Sequence, residues 1–281
     1  MSRSPSSIGE EKSSTPDVTK KAGISSHELV DEALKILERA KNMGITLRLG
    51  GGVAIYYLAR NQPALKQLLI ERRKAGSSNA TFADLDFIGY SKQTKLMNKL
   101  FLDELLFQKD KIINSLFGDR RRIYYHPTGA YHVDVLLDVL EFNHDIDIRE
   151  RLELEFPTLN VDDLLLTKLQ IHFINEKDLL DIIALSFLRF PQEPASPRVL
   201  QLLSNDWGFY YDAINNLKSA SDLATRLLNE SSAGSELKLS IERLAALIET
   251  IDKAPKSKKW GKRAKQGSDK VWWREIEDVL R

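Results

Sequence analysis

The sequence predicts an α+β protein, with strands interleaved among helices over residues 26–160 and helices alone over residues 161–252. Three observations carry this reading. Residues 81–89 alternate apolar and acidic side chains, the period of a strand. Two strand-like runs, 121–126 and 130–137, flank Pro127-Thr128-Gly129, the composition of a hairpin loop. Beyond Val161 the apolar residues recur at helical spacing.

Taken in order, residues 1–25 are rich in Ser, Lys, Glu and Pro and are expected to be a disordered tail. A helix is expected over 26–43, with Ser26 as its N-cap and Gly44 at its end. A short strand follows over 45–49, then Gly50-Gly51-Gly52 and an apolar helical segment, 53–60. Residues 61–80 read as polar and irregular. After the acidic strand, 92–116 reads as one helix. Asp162-Asp163 precede a helix over 164–175, and another runs over 176–190. Pro191, Pro194 and Pro197 mark a break before the helices of 198–252. Residues 253–265 form a basic run, a linker that leads to a final helix over 271–281 anchored by Trp272 and Trp273.

Composition excludes several classes. With no cysteine in 281 residues, disulfides and thiolate metal sites are ruled out. A net charge of +1 gives no global signal for nucleic acid, so any basic surface must be local. The N-terminus does not read as a signal peptide, and no apolar run approaches the roughly 20 residues a membrane helix needs. The expected setting is cytoplasmic, with no membrane partner.

Chemistry is concentrated at Asp84 and Asp86. Side chains two apart on a strand share a face, so both acids project together. Neighbouring carboxylates repel unless a cation lies between them, and oxygen-only ligands select Mg²⁺ or Mn²⁺. A glycine run that opens a helix lets backbone N–H groups approach phosphate. The run is not a dinucleotide-binding fingerprint, because Ile55 stands where its third glycine would fall. Asp134, between Val133 and Val135, is a further strand acid that can bind metal or accept a proton from an attacking hydroxyl.

These residues resemble the nucleotidyltransferase superfamily. The resemblance lies in Leu49-Gly50-Gly51-Gly52-Val53-Ala54, then Ala83-Asp84-Leu85-Asp86-Phe87, then His132-Val133-Asp134-Val135. It is closest to nucleotidyltransferases like the AbiEii abortive-infection toxins, through Phe156-Pro157-Thr158-Leu159, the segment Asp163 to Leu169, and Lys177-Asp178-Leu179-Leu180-Asp181-Ile182. It covers residues 45–190. It implies a mixed β-sheet with flanking helices and transfer of NMP from an NTP to a hydroxyl acceptor, with tRNA or protein first, in a toxin–antitoxin or defence setting. An antitoxin-like partner goes with that setting. Carried across by position, it implies Gly50, Gly51 and Gly52 at the nucleotide phosphates and Asp84, Asp86 and Asp134 as metal ligands. Lys168, Lys177 and Asp178 would face the nucleotide from the helical side, with Lys168 in the catalytic set.

The chain departs from the family pattern at Val53, where a hydroxyl is usual, and in a long spacer between Gly52 and Asp84 that suggests an insertion at 61–80. Val53 keeps an alternative open, a catalytically inactive fold that binds nucleotide or a partner protein. A nuclease built on the same acids is a third reading. Arg120-Arg121-Arg122 is either a phosphate clamp or a solvated entry to a strand. Lys168 is either a site residue or a surface lysine. The basic run with Trp260 has the make-up of a nucleic-acid contact but also of a solvated linker. Asp138, Asp145 and Asp147 read as solvated, and His126 with His132 as a structural cross-strand pair.

Overall fold

The computed structural model describes residues 24–74, 82, 84–189 and 194–276. The expected tail lies almost wholly outside these residues, as do Ala83, Pro191 and residues 277–281.

A mixed five-stranded sheet organises the first half. Its strands are β1 (Leu47–Leu49), β2 (Asp84–Gly89), β3 (Gln108–Lys109), β4 (Arg121–Tyr125) and β5 (His132–Leu137), in the order β1-β2-β5-β4-β3. The β2–β5 pair is parallel and every other pair is antiparallel. Helix α1 (Ser26–Asn42) packs on β1, and α2 (Gly51–Leu58) follows β1 directly. A small ladder of β6 (Val139–Glu141) and β7 (Asp145–Asp147) extends beyond β5. The N-cap of α1 is Ser25, one residue before the expected Ser26. Ser25 and Glu28 exchange backbone and side-chain hydrogen bonds in a capping box, which decides the start.

Two expectations in this half are corrected. Most of the segment expected to be irregular is helix α3 (Pro63–Lys74). Proline at its first position costs no hydrogen bond there and pre-sets the helical φ, a start signal that its polar composition masks. The single helix expected over 92–116 is broken into α4 (Thr94–Asn98), a π-helical turn (Lys99–Glu104), strand β3 and helix α5 (Lys111–Leu116). Leu106 has a φ of 57°, which ends the helical run, and Asp110 caps α5 by accepting from the Ile113 N–H.

The helical part comprises α6 (Val161–Leu169), α7 (Glu176–Leu188), α8 (Pro197–Asn205), α9 (Trp207–Leu227) and α10 (Gly234–Lys253). Asn160 caps α6, so it starts before the expected residue 164, and it ends before 175. Helix α7 packs on α2 and α3 and so joins this part to the sheet domain. No helix among the described residues is long and apolar enough to cross a membrane.

The basic run is not an open linker. It carries helix α11 (Lys258–Ala264), packed on α8 and α9, with the Trp260 ring edge-on to Tyr210. Lys256 donates to carbonyls at the end of α10, including Ala254 O at 2.9 Å. The tryptophans after it do not anchor a helix, since residues 271–276 are non-helical. They anchor a non-helical strap. Trp272 Nε1 donates to Asp212 Oδ1 at 3.1 Å, and Trp273 stacks on His172. Asp212, 3% exposed, also lies 2.8 Å from His144 Nε2 and 2.9 Å from His172 Nδ1. One buried carboxylate thus meets donors from the β6–β7 turn, the α6–α7 loop and the strap.

Asp212→Ala leaves those donors unmet and is expected to cost roughly 2–3 kcal/mol. Urea unfolding at neutral pH checks this, and an unchanged midpoint would contradict the clamp.

Candidate functional site

Register brings the predicted acids together. Asp84 lies opposite His132 and Asp86 opposite Asp134 across the parallel β2–β5 pair. Directly opposed residues of paired strands share a face, so all three carboxylates project from one side of the sheet. Leu85, Phe87, Val133 and Val135 take the other side and are fully buried. The hydrophobic alternation therefore fixes which face carries the acids.

The glycine run abuts Asp86. Gly50 N–H donates to the Asp86 carbonyl at 2.8 Å, and helix α2 begins at the next residue. Gly51 has a φ of +59°, and a Cβ there would lie 1.8 Å from Asp86 Oδ2. Only glycine fits, on both counts. No side chain caps α2. Its first N–H groups and the positive end of its dipole therefore lie beside the carboxylates.

The cations around this face come from three other elements. On β4, Arg121 grips Asp134 with Nε 3.0 Å from Oδ1 and 2.8 Å from Oδ2. On α6, Lys168 is 14% exposed and lies 2.6 Å from Asp178 Oδ1 and 3.0 Å from Asp181 Oδ2. It is a partly buried, ion-paired lysine and not a free surface one. On α3, Arg73 pairs with Asp181, lies over the Phe82 ring and backs Gly52. Asp181 is fully buried and thus ties α3, α6 and α7 together behind the glycine turn.

Charge crowding shows in the protonation equilibria. Loss of solvation, then the Asp84 and Asp134 carboxylates, push Asp86 up to about 8, against the opposing pull of Lys168 and Arg121. Burial also raises Asp134, and its hydrogen bonds to Arg121 restrain that rise. Burial works against charge on Lys168, yet Asp181 and Asp178 hold it above the ordinary lysine range.

The sequence-derived residues divide as follows. Gly50, Gly51, Asp84, Asp86 and Asp134 converge on one face. Lys168 and Asp178 meet each other beside Asp181. Lys177 is half-buried on α7 and makes no ion pair among the described residues. Val53 is 2% exposed and packs into the core, so its side chain is turned away from solvent. Among the arginines, Arg121 grips Asp134 while Arg120 pairs with Glu141. His126 and His132 do not pair. Tyr125 is the residue opposite His132, and His126 stacks on Tyr131. Asp138 accepts from the Ser91 N–H at 3.1 Å, while Asp145 and Asp147 pair with Arg274 and Arg149. Asp181 and Arg73 carry no role in the sequence reading. The signal for Asp181 was its place three residues after Asp178, on the same helical face.

An all-oxygen donor set crowded enough to raise Asp86 fits a hard divalent cation. Asp84 and Asp86 are the residues that would hold it, while Asp134 is held by Arg121. No group of three or more His, Asp or Glu that could hold a metal ion is found among the described residues. No protein-family model matches the chain, and no curated protein matches it significantly.

The Asp86 shift has a pH signature. Its folded value lies above the unfolded 3.8, so the cost of charging it is absent below about pH 4 and complete above about pH 8. Metal-free Asp86→Asn is therefore expected to melt above wild type near pH 8, by roughly 2–4 °C per kcal/mol relieved, with the gap closing towards pH 4. Melting curves in chelator across that range test this; a gap independent of pH would contradict it.

Proposed function

We propose that this protein is a metal-dependent nucleotidyltransferase that moves NMP from an NTP to a hydroxyl acceptor, within a nucleotidyltransferase-like fold. The observation that carries the reading is the in-register placement of Asp84, Asp86 and Asp134 on one face beside the uncapped N-terminus of α2. The N–H groups from Gly51 onward would receive the nucleotide phosphates. Asp84 and Asp86 would hold Mg²⁺ or Mn²⁺, which would supply positive charge to offset the negative charge of the phosphates.

The remaining steps belong to the chain. Asp134, released from Arg121, takes the proton of the acceptor hydroxyl. The acceptor oxygen forms its bond to the α-phosphorus as the bond to the bridging oxygen of pyrophosphate breaks. Arg121, freed from Asp134, and Lys168 offer positive charge to the leaving pyrophosphate. Asp181 positions Lys168 and Arg73. The acceptor is proposed to be an RNA such as tRNA, or a protein, in a cytoplasmic toxin–antitoxin setting with an antitoxin-like partner. This rests on the resemblance of the glycine turn and the acid strands.

A second reading, nucleotide or partner binding without turnover, is favoured by one observation. Asp134 is engaged by Arg121 and is not free to act as a base. Val53 supports it less than the sequence suggests, because its side chain lies in the core.

Incubating the protein with each α-phosphate-radiolabelled NTP and total RNA or lysate separates these readings. Transfer of label to RNA or protein is expected, with Asp84→Ala/Asp86→Ala lowering it by about 100-fold or more. NTP binding without any transfer would favour the second reading. Shortened RNA would indicate a nuclease.

A further inference from the structure

A separate cavity lies where α6, α7 and α10 meet. Its volume is about 160 Å³. Arg189, Arg243 and Ser186 give it a polar lining, and Leu165, Ala246 and Leu247 an apolar one. Asp178 and Arg189 stand eleven residues apart on α7 and its C-cap, roughly 16 Å along the helix, so this cavity is distinct from the carboxylate face. Residues 190–193 lie outside the described residues, and no part of the site is assigned to them.

The Arg189 side chain is only partly satisfied. It is 5% exposed. Its Nε is paired with Asp162, and its Nη1 donates to the Pro194 carbonyl at 2.5 Å. Its Nη2 is buried and has no hydrogen-bond partner. A buried guanidinium with an unmet donor is unfavourable unless an acceptor reaches it. A second guanidinium faces the same space. Arg243 donates through Nη1 to the carbonyls of Phe187, of Ser186 at 3.3 Å and of Arg189 at 2.9 Å, at the end of α7. Burial, then the neighbouring Arg189, hold Arg243 below its ordinary value. Two cations close enough to disfavour each other's charge are relieved by an anion between them.

We propose that this cavity binds a small oxyanion with a short apolar body, its head on Arg189 and Arg243 and its body against Leu165, Ala246 and Leu247. The volume of about 160 Å³ leaves room for a molecule the size of propionate or methyl phosphate. Carboxylate and phosphate heads share the acceptor geometry that a guanidinium recognises.

Calorimetric titration with propionate, methyl phosphate and uncharged 1-propanol tests the site. Saturable binding of one or both anions, one per chain and tighter than about 1 mM, is expected, with no binding of 1-propanol. Ala246→Leu fills the cavity without removing either charge and should weaken binding at least about 10-fold. Arg243→Gln should do the same, with circular dichroism confirming that both variants fold. The Asp84→Ala/Asp86→Ala chain should bind like wild type, which separates this site from the nucleotide reading. Failure of both anions to saturate by about 10 mM, equal affinity for 1-propanol, or undiminished binding by Ala246→Leu would overturn the proposal.

Discussion

The parallel pairing of β2 with β5 is the constraint on which the rest depends. It sets Asp86 opposite Asp134 and Asp84 opposite His132, while Leu85, Phe87, Val133 and Val135 fill the core on the other side. A slip of one residue would bury the acids and expose the core side chains, so hydrophobic burial holds the carboxylates in place against their mutual repulsion. That repulsion is only partly answered by Arg121 and Lys168, since Asp86 stays far above its ordinary value. The glycine turn closes the arrangement. With no room for a Cβ at Gly51, the start of α2 sits directly on the Asp86 carboxylate.

Behind this face the helices act as a brace. Asp181 is buried and shared by Arg73 and Lys168, so α3, α6 and α7 are held to one another at the glycine turn. Removing one partner from such a pair leaves a buried charge unmet, which is costly even where the intact pair adds little net stability. The same logic recurs at Asp212, where His144, His172 and Trp272 converge and the C-terminal strap is fastened back onto α9. Both carboxylates join elements distant in sequence, and both lie on helices whose buried faces are mostly apolar.

The legible features were those with a local period or a backbone requirement. The apolar–acidic alternation around Asp84 and Asp86, the glycine run, and the hairpin around Pro127-Thr128-Gly129 each announce their structure within about ten residues. The features that escaped depend on partners far away. The charged surface of helix α3 hides it, although Pro63 marks its start, and the pairing of buried Arg73 with Asp181 on α7 is long-range. The break after Glu104 turns on a positive φ at Leu106, which side-chain periodicity does not reveal. His126 and His132 flank one loop, yet a one-residue offset in register puts Tyr125 opposite His132. The strap is held by partners far away in the chain, Asp212 and His172 on its tryptophans and Asp145 on Arg274, which local periodicity does not reveal.

Asp84 and Asp86 are proposed to form a hard-cation site beside α2. Electron paramagnetic resonance of Mn²⁺ titrated into the purified protein tests it most directly, because the signal of free Mn²⁺ falls as the ion binds. Saturable binding that Mg²⁺ displaces, that tightens with NTP, and that disappears in Asp84→Ala/Asp86→Ala is expected. Binding that persists unchanged in that variant, or no binding with or without NTP, would contradict it.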